Sequence, residues 1–320
     1  MRRFRTLPAL SRALVPPALW LGVLVGLAAC AGRPSPEANV RLETALRDIG
    51  KLRTEEAPAD APFSNDDLVE NFRRIALHHE VDIARSGSEA NAGRNPLARW
   101  HRPIRWSVVG RGSSDVDYAD IVLLMARVAR LTGLDIREAD PGETNMLILL
   151  VAEEERDSLG RALARRAPAL AGAYERWRST PSILCAATVP RGGRRGIGFA
   201  MVVVGSEVTG LLRRSCLHEE IVQALGLMND HPGVRPSIFN DDEEFALMTA
   251  HDEWLLRLLY DPALSPGMSE AEAMPIVRRL VARLRPDGRA SRPAPLAGRD
   301  ARPVPLPAPS PRAPSARSGG

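Results

Sequence analysis

The chain has 320 residues, 44% of them hydrophobic, and a formal net charge of +4. That length supports a sizeable core. The charge sits at the ends: 1–29 hold four arginines and no acid, and 286–320 hold six arginines against Asp287 and Asp300, which leaves 30–285 at −4. A mildly acidic body with Lys51 as its one lysine lacks the basic stripe that nucleic-acid binding requires.

The N-terminus begins with Arg2, Arg3, Arg5 and Arg12, followed by an apolar run over 13–29 that only Pro16 and Pro17 interrupt. A basic start, an apolar middle and small residues at the end describe a secretory signal peptide over 1–29. The uninterrupted stretch after Pro17 is shorter than the ~20 residues that cross a bilayer. Leu27-Ala28-Ala29-Cys30 resembles the lipobox of bacterial lipoproteins. The resemblance implies cleavage before Cys30 and acylation of its sulfur. Ala31 follows, with no aspartate to signal inner-membrane retention, so the expected address is the outer membrane, facing the periplasm.

Residues 30–61 read as a lipidated tether, with weak helical patterning around 40–52 and a Pro/Ala-rich stretch after it. A domain is expected over 62–285. Ser64-x-x-Asp67 has the form of a helix cap, and Leu68, Phe72, Ile75, Ala76 and His79 then share one helical face. His79 on that face reads as a hydrogen-bonded core or boundary histidine. Strand composition marks 104–110, 134–140, 145–152, 182–189 and 197–205, and helical patterning marks 120–131, 153–166, 218–227, 249–260 and 269–284. This alternation points to a mixed α/β layered domain. Residues 286–320 are almost all Pro, Ala, Arg, Ser and Gly, a composition that predicts a disordered tail.

With Cys30 lipidated, Cys185 and Cys216 remain. An even pair in an oxidising compartment is a disulfide candidate, with two buried thiols as the alternative.

The stretch "CLHEEIVQALGLMNDH" over 216–231 carries the candidate chemistry. Zinc peptidases with HExxH hold two histidines at i and i+4 on one helix face, with a glutamate at i+1 as general base. Reading from His218 fails, because i+4 is Val222. Reading from Glu219 fits everything except the ligands: Glu220 takes the base position, Gln223 the second ligand position, Gly226 the turn and Asn229 the third ligand position, with Asp230 following. The stretch therefore resembles a metzincin helix, HExxHxxGxxH, whose three histidines are replaced by Glu219, Gln223 and Asn229. Together with "PSIFND" and "LMTAHDEWLLRLLYDPALSPGM" it resembles the bacterial family called domain of unknown function 2927, grouped with the zincin-type peptidases. The spacing of Thr249, Asp252, Leu256 and Tyr260 resembles the helix that follows the active site in metzincins, but the sequence has no obvious Met-turn: Phe239 stands roughly where its methionine would be sought.

The resemblance implies a metzincin-like α/β fold. A carboxylate and two amides are poor zinc donors, so no cofactor is expected. A divalent metal such as calcium would need further carboxylates, from Asp230, Asp241 and Asp242. The expected role is a non-catalytic module that binds a peptide or envelope protein. The alternative is an atypical metal-dependent hydrolase with Glu220 as its base. A shifted zinc site from His218, His231 and His251 would need convergence from different faces, and surface histidines are the simpler expectation. Ser215 or Ser237 as a nucleophile lacks a GxSxG elbow.

Overall fold

A computed structural model describes residues 33–78, 96–190 and 196–288. The leader, Cys30, His79 and the tail from 289 onward lie outside the described residues. Five strands form one sheet: β1 Ile104–Val109, β2 Ile136–Glu138, β3 Met146–Val151, β4 Cys185–Thr188 and β5 Ala200–Gly205. Their order is β2-β1-β3-β5-β4. The first four neighbours run parallel, and β4 lies antiparallel on the edge against β5. The central strands read MLILLV and AMVVVG, the continuous apolar runs of strands covered on both faces. Alternate residues divide between two cores. Leu149, Val151, Met201 and Val203 pack with Leu163, Leu170, Tyr174 and Trp177. Met146, Ile148, Leu150, Val202 and Val204 face the larger core on the other side.

Eight α-helices complete the mixed α/β fold among the described residues: α1 Pro36–Asp48, α2 Asn65–Ala76, α3 Asp115–Thr132, α4 Arg156–Arg166, α5 Pro168–Ser179, α6 Gly210–Gln223, α7 Ala250–Leu259 and α8 Glu270–Leu284. The Ser64–Asp67 capping box opens α2 as expected. A second box, Ser114–Asp117, opens α3 at Asp115 rather than at 120. Helix α5 was not expected from the sequence, because Pro168 and Gly172 break its pattern. Pro168 sits at the helix start, where its missing N–H costs nothing, and burial of Leu170, Tyr174 and Trp177 supplies the rest. Helix α6 starts eight residues before the expected 218.

The segment expected to be a tether is instead stitched to the domain. Asn39 Nδ2 donates to Glu207 O at 2.9 Å, and Leu212 N donates to Glu43 Oε2 at 3.2 Å. Beyond α1, Leu52 N and Arg53 N donate to Glu243 O and Glu244 O, and Ala246 N donates back to Arg53 O, each at 2.8 Å. At the other end Arg285 is 2% exposed. Its guanidinium lies 4.4 Å from the Phe63 ring centre and donates to Phe63 O and Ser64 O.

Cys185 and Cys216 are bonded, joining the edge strand β4 to α6 across 31 residues of sequence. A loop of that length corresponds to about 3–4 kcal/mol of stabilisation by chain entropy.

Arg213, in the first turn of α6, is the other clamp. Its Nε meets Asp117 Oδ1 at 2.7 Å, Nη1 donates to Gly205 O at 3.2 Å and Val208 O at 3.1 Å, and Nη2 donates to Gly112 O at 2.7 Å. Both side chains are buried, and removing one partner of such a pair strands the other charge. Asp117→Asn is expected to lower unfolding free energy by about 3–5 kcal/mol, measured by urea denaturation. A loss under ~1 kcal/mol, typical of an exposed pair, would contradict this placement.

Candidate functional site

The candidate residues lie on the second half of α6 and on the turn beyond it. Helix α6 stops because Gly226 takes φ +115°, a conformation open to glycine and strained for other residues. A Cβ there would also stand 2.1 Å from Ala98 O. The helix end is closed from outside. Trp100 Nε1 donates to Ala224 O at 2.8 Å, and the Tyr260 hydroxyl donates to Leu225 O at 2.7 Å while accepting from Trp100 N at 3.2 Å. Tyr260 is fully enclosed, and burial pushes its hydroxyl pKa upward. Sequence reasoning found Gly226 but not Trp100 or Ala98, whose role shows only when the chain folds back across the helix.

Around this turn, Gln223 and Asp230 come together: Gln223 Nε2 donates to both carboxylate oxygens at 3.0 and 3.1 Å. Asn229 is buried, and its Nδ2 donates to Arg74 O at 3.0 Å, in the last turn of α2. Its Oδ1 is enclosed without a hydrogen-bond partner. Glu219 and Gln223 are half-buried and Glu220 is buried. So α6 presents Glu219 and Gln223 one turn apart, and the chain beyond Gly226 returns Asp230 to Gln223.

The further carboxylates go elsewhere. Asp242 pairs with Lys51 at 2.6 Å, and Asp241 is exposed. Among the described residues, no group of three or more His, Cys, Asp or Glu side chains is arranged to hold a metal ion.

The histidines that flank the motif differ from the surface placement expected of them. His218 is 8% exposed and His251 is 0% exposed. His218 Nδ1 accepts from Met248 N at 3.1 Å, so the neutral ring carries its proton on Nε2. Burial, with Arg127 and Arg214 nearby, pulls its pKa down to about 3. His251 Nε2 lies 3.1 Å from Asn71 Nδ2, and its ring stands edge-on to Phe63. His231 is half-buried and Nδ1 accepts from Gly233 N at 2.9 Å. Each ring serves a different part of the backbone or core.

Ser237 is fully buried and donates to Asp252 Oδ1. Asp252 Oδ2 also accepts from Thr249 N at 2.8 Å, Thr249 Oγ1 at 2.9 Å and Ile238 N at 3.2 Å. The Thr249–Asp252 cap therefore also anchors the 236–239 loop. Phe239 O accepts from His231 N at 2.9 Å, which closes that loop against the motif turn. Ser215 is buried within α6.

A family sequence model described as "Protein of unknown function (DUF2927)" matches residues 65–279. The match spans more than half of the chain, and the chain belongs to this family. No curated protein matches, and no solved structure matches.

The buried neutral His218 gives stability a pH dependence of definite sign. Its folded pKa of about 3 lies below the ordinary 6.5, so the unfolded chain binds the extra proton between those values. The contribution is complete above pH 6.5 and falls as pH drops toward 3, by up to about 1.4 kcal/mol per pH unit. In His218→Asn the amide oxygen can still accept from Met248 N. Urea melts between pH 7 and 4 should give a shallower fall for that variant than for wild type, and equal slopes would contradict the assignment.

Proposed function

We propose that this protein is a lipid-anchored envelope protein whose metzincin-like domain binds an extended segment of a peptide or envelope protein along β4, without zinc catalysis. The observation that carries the reading is the position of β4. It is an edge strand, no described strand pairs with its outer side, and the Cys185–Cys216 bond holds it one helical turn from Glu219 and Glu220. Peptides add to such edges through main-chain hydrogen bonds, with side chains read at alternate positions. Zincin clefts run beside an edge strand, so the mode agrees with the family resemblance. The metzincin-like register is supported by Gly226, whose positive φ ends the helix at the turn position of HExxHxxGxxH, and by the return of Asp230 to Gln223 beyond that turn.

Peptide addition is tested by panning a display library of extended peptides on the purified protein. Binders are expected whose affinity falls about tenfold, or ~1.4 kcal/mol, in one of Ala186→Pro and Ala187→Pro. Neighbouring residues of an antiparallel edge strand alternate in the side to which they donate, so one of the two has its N–H outward. Binders indifferent to both folded variants would sink the reading.

The register is tested separately. The triple change Glu219→His, Gln223→His and Asn229→His should create a zinc site, because three imidazoles at this spacing suit tetrahedral zinc with one open position. The wild-type set should take up far less zinc, since amide oxygens are poor donors for it. Stoichiometric zinc measured by elemental analysis in the triple variant supports the register; a folded triple variant that takes up none refutes it.

A further inference from the structure

We infer that the membrane carrying the lipid anchor lies against the domain at the α5–β4 turn and the first turn of α1, so that the β4 edge serves partners close to the bilayer. This rests on the lipoprotein reading of Cys30 and adds an orientation to it. The key residue is Arg33. Its side chain is 8% exposed and pairs with Glu207. Nη1 donates to Ile183 O at 3.0 Å, Nη2 to Trp177 O, and the guanidinium stacks 4.1 Å from the Trp177 ring centre. A lipoprotein tether that was free along 30–61 would leave the domain to tumble above the surface. Here the chain is fixed three residues after Cys30, a reach of about 10 Å at full extension.

The surface around that fixed point is suited to a headgroup layer. Ile183 is 37% exposed and Val40, on the first turns of α1, is 52% exposed. Ser179, Ser182 and Arg176 are exposed on the α5–β4 segment, together with the acids Glu175, paired with Arg178, and Glu37 in the first turn of α1. Charges of both signs, small polar groups and isolated apolar side chains suit a zwitterionic headgroup layer, so the orientation is set by the short reach from Cys30 to Arg33 rather than by net charge. The height of the β4 edge follows from the same contacts. Ile183 lies two residues before Cys185, whose Cα is 5.9 Å from that of Cys216. Glu219 is three residues further along α6, a rise of about 4.5 Å. The glutamate pair is thus held within roughly 20 Å of the pinned backbone by chain and helix dimensions. With the reach from Cys30 added, a partner segment at β4 and the glutamate pair lies within about 30 Å of the membrane, which suits the membrane-proximal stretch of another envelope protein.

The test uses the full chain, expressed with its leader, purified from membranes and reconstituted in vesicles of phosphatidylethanolamine and phosphatidylglycerol. A fluorophore is placed at Ser179→Cys or, on α8, at Arg278→Cys, and is quenched by lipids with nitroxide headgroups. Helix α8 packs on α2 and α7, whereas Arg33 is held by Trp177, Ile183 and Glu207. Quenching at 179 should exceed that at 278 by about threefold or more, since a domain of this size places its far side tens of ångströms from the surface. In Arg33→Ala the contrast should fall by at least half. Equal quenching at both sites, or a contrast unchanged by Arg33→Ala, overturns the orientation alone. Failure of Cys30 to incorporate labelled palmitate overturns the anchor reading and this inference with it.

Discussion

The placement of α6 depends on one buried cation. Arg213 stands in the first turn of that helix, where the helix dipole makes a positive charge unfavourable. Its location is explained by what it contacts. Three carbonyl oxygens, one at the end of β5, one in the turn between β5 and α6 and one in the loop after β1, accept from its guanidinium together with the Asp117 carboxylate. Those carbonyls mark the ends of parallel strands, where backbone acceptors lose their ladder partners and must find others. The fork of an arginine satisfies several at once. Asp117 is itself fixed by the capping box of α3, so α3, the strand ends and α6 form one connected unit.

With its start fixed, α6 is held twice more along its length. The disulfide at Cys216 ties it to the edge strand, and Trp100 and Tyr260 bond to the carbonyls of its last turn. This explains why Gly226 stands where it does. The backbone at Ala98 passes so close that any side chain would collide with its carbonyl oxygen, and the next residues must leave the helix to make room. The same close packing encloses Asn229. One end of its amide is used by the carbonyl of Arg74, while Oδ1 has no partner. An unsatisfied buried acceptor costs on the order of 1–3 kcal/mol. Asparagine at that position therefore contributes a hydrogen bond through one polar atom of its amide and none through the other.

The parts of the fold legible in the sequence are those that depend on local chemistry. Strands β3 and β5 announce themselves as apolar runs, α2 by Ser64 and Asp67, and the disulfide by the even pair of cysteines that remains once Cys30 is set aside. What was missed depends on distant partners. Helix α5 carries Pro168 and Gly172 against a helical reading, and only the far face of the sheet, which Leu170, Tyr174 and Trp177 cover, stabilises it. The first half of α6 was hidden because Arg213, Arg214 and Ser215 give it no apolar periodicity. Arg213 is buried by strand ends that no local pattern reveals. Residues 30–61 looked like a tether because their helical patterning is weak and a Pro/Ala-rich stretch follows it, yet within them Arg33 and Asn39 reach the carboxylate and the carbonyl of Glu207. In the candidate site, Gly226 was legible from its spacing, whereas the engagement of Asn229 by α2 required knowledge of the packing.

The histidines show how the polar residues divide their tasks. His218 is adjacent to the glutamate pair, and its sequence position suggests chemistry. Its environment opposes a positive charge: burial, Arg127 and Arg214 all favour the neutral ring. A bound cation would meet the same opposition. Its Nδ1 is already used by the backbone of Met248, which fixes the residue preceding the Thr249 cap. That cap supports Asp252, and Asp252 holds the 236–239 loop against the motif turn. So His218, Thr249, Asp252 and Ser237 form a chain of structural contacts behind α6. The half-buried side chains of Glu219, Gln223 and Asp230 lie apart from that chain of contacts. Glu219 and Gln223 share a face of α6, the helix that the Cys185–Cys216 bond ties to β4, and Asp230 returns to that face from the turn beyond.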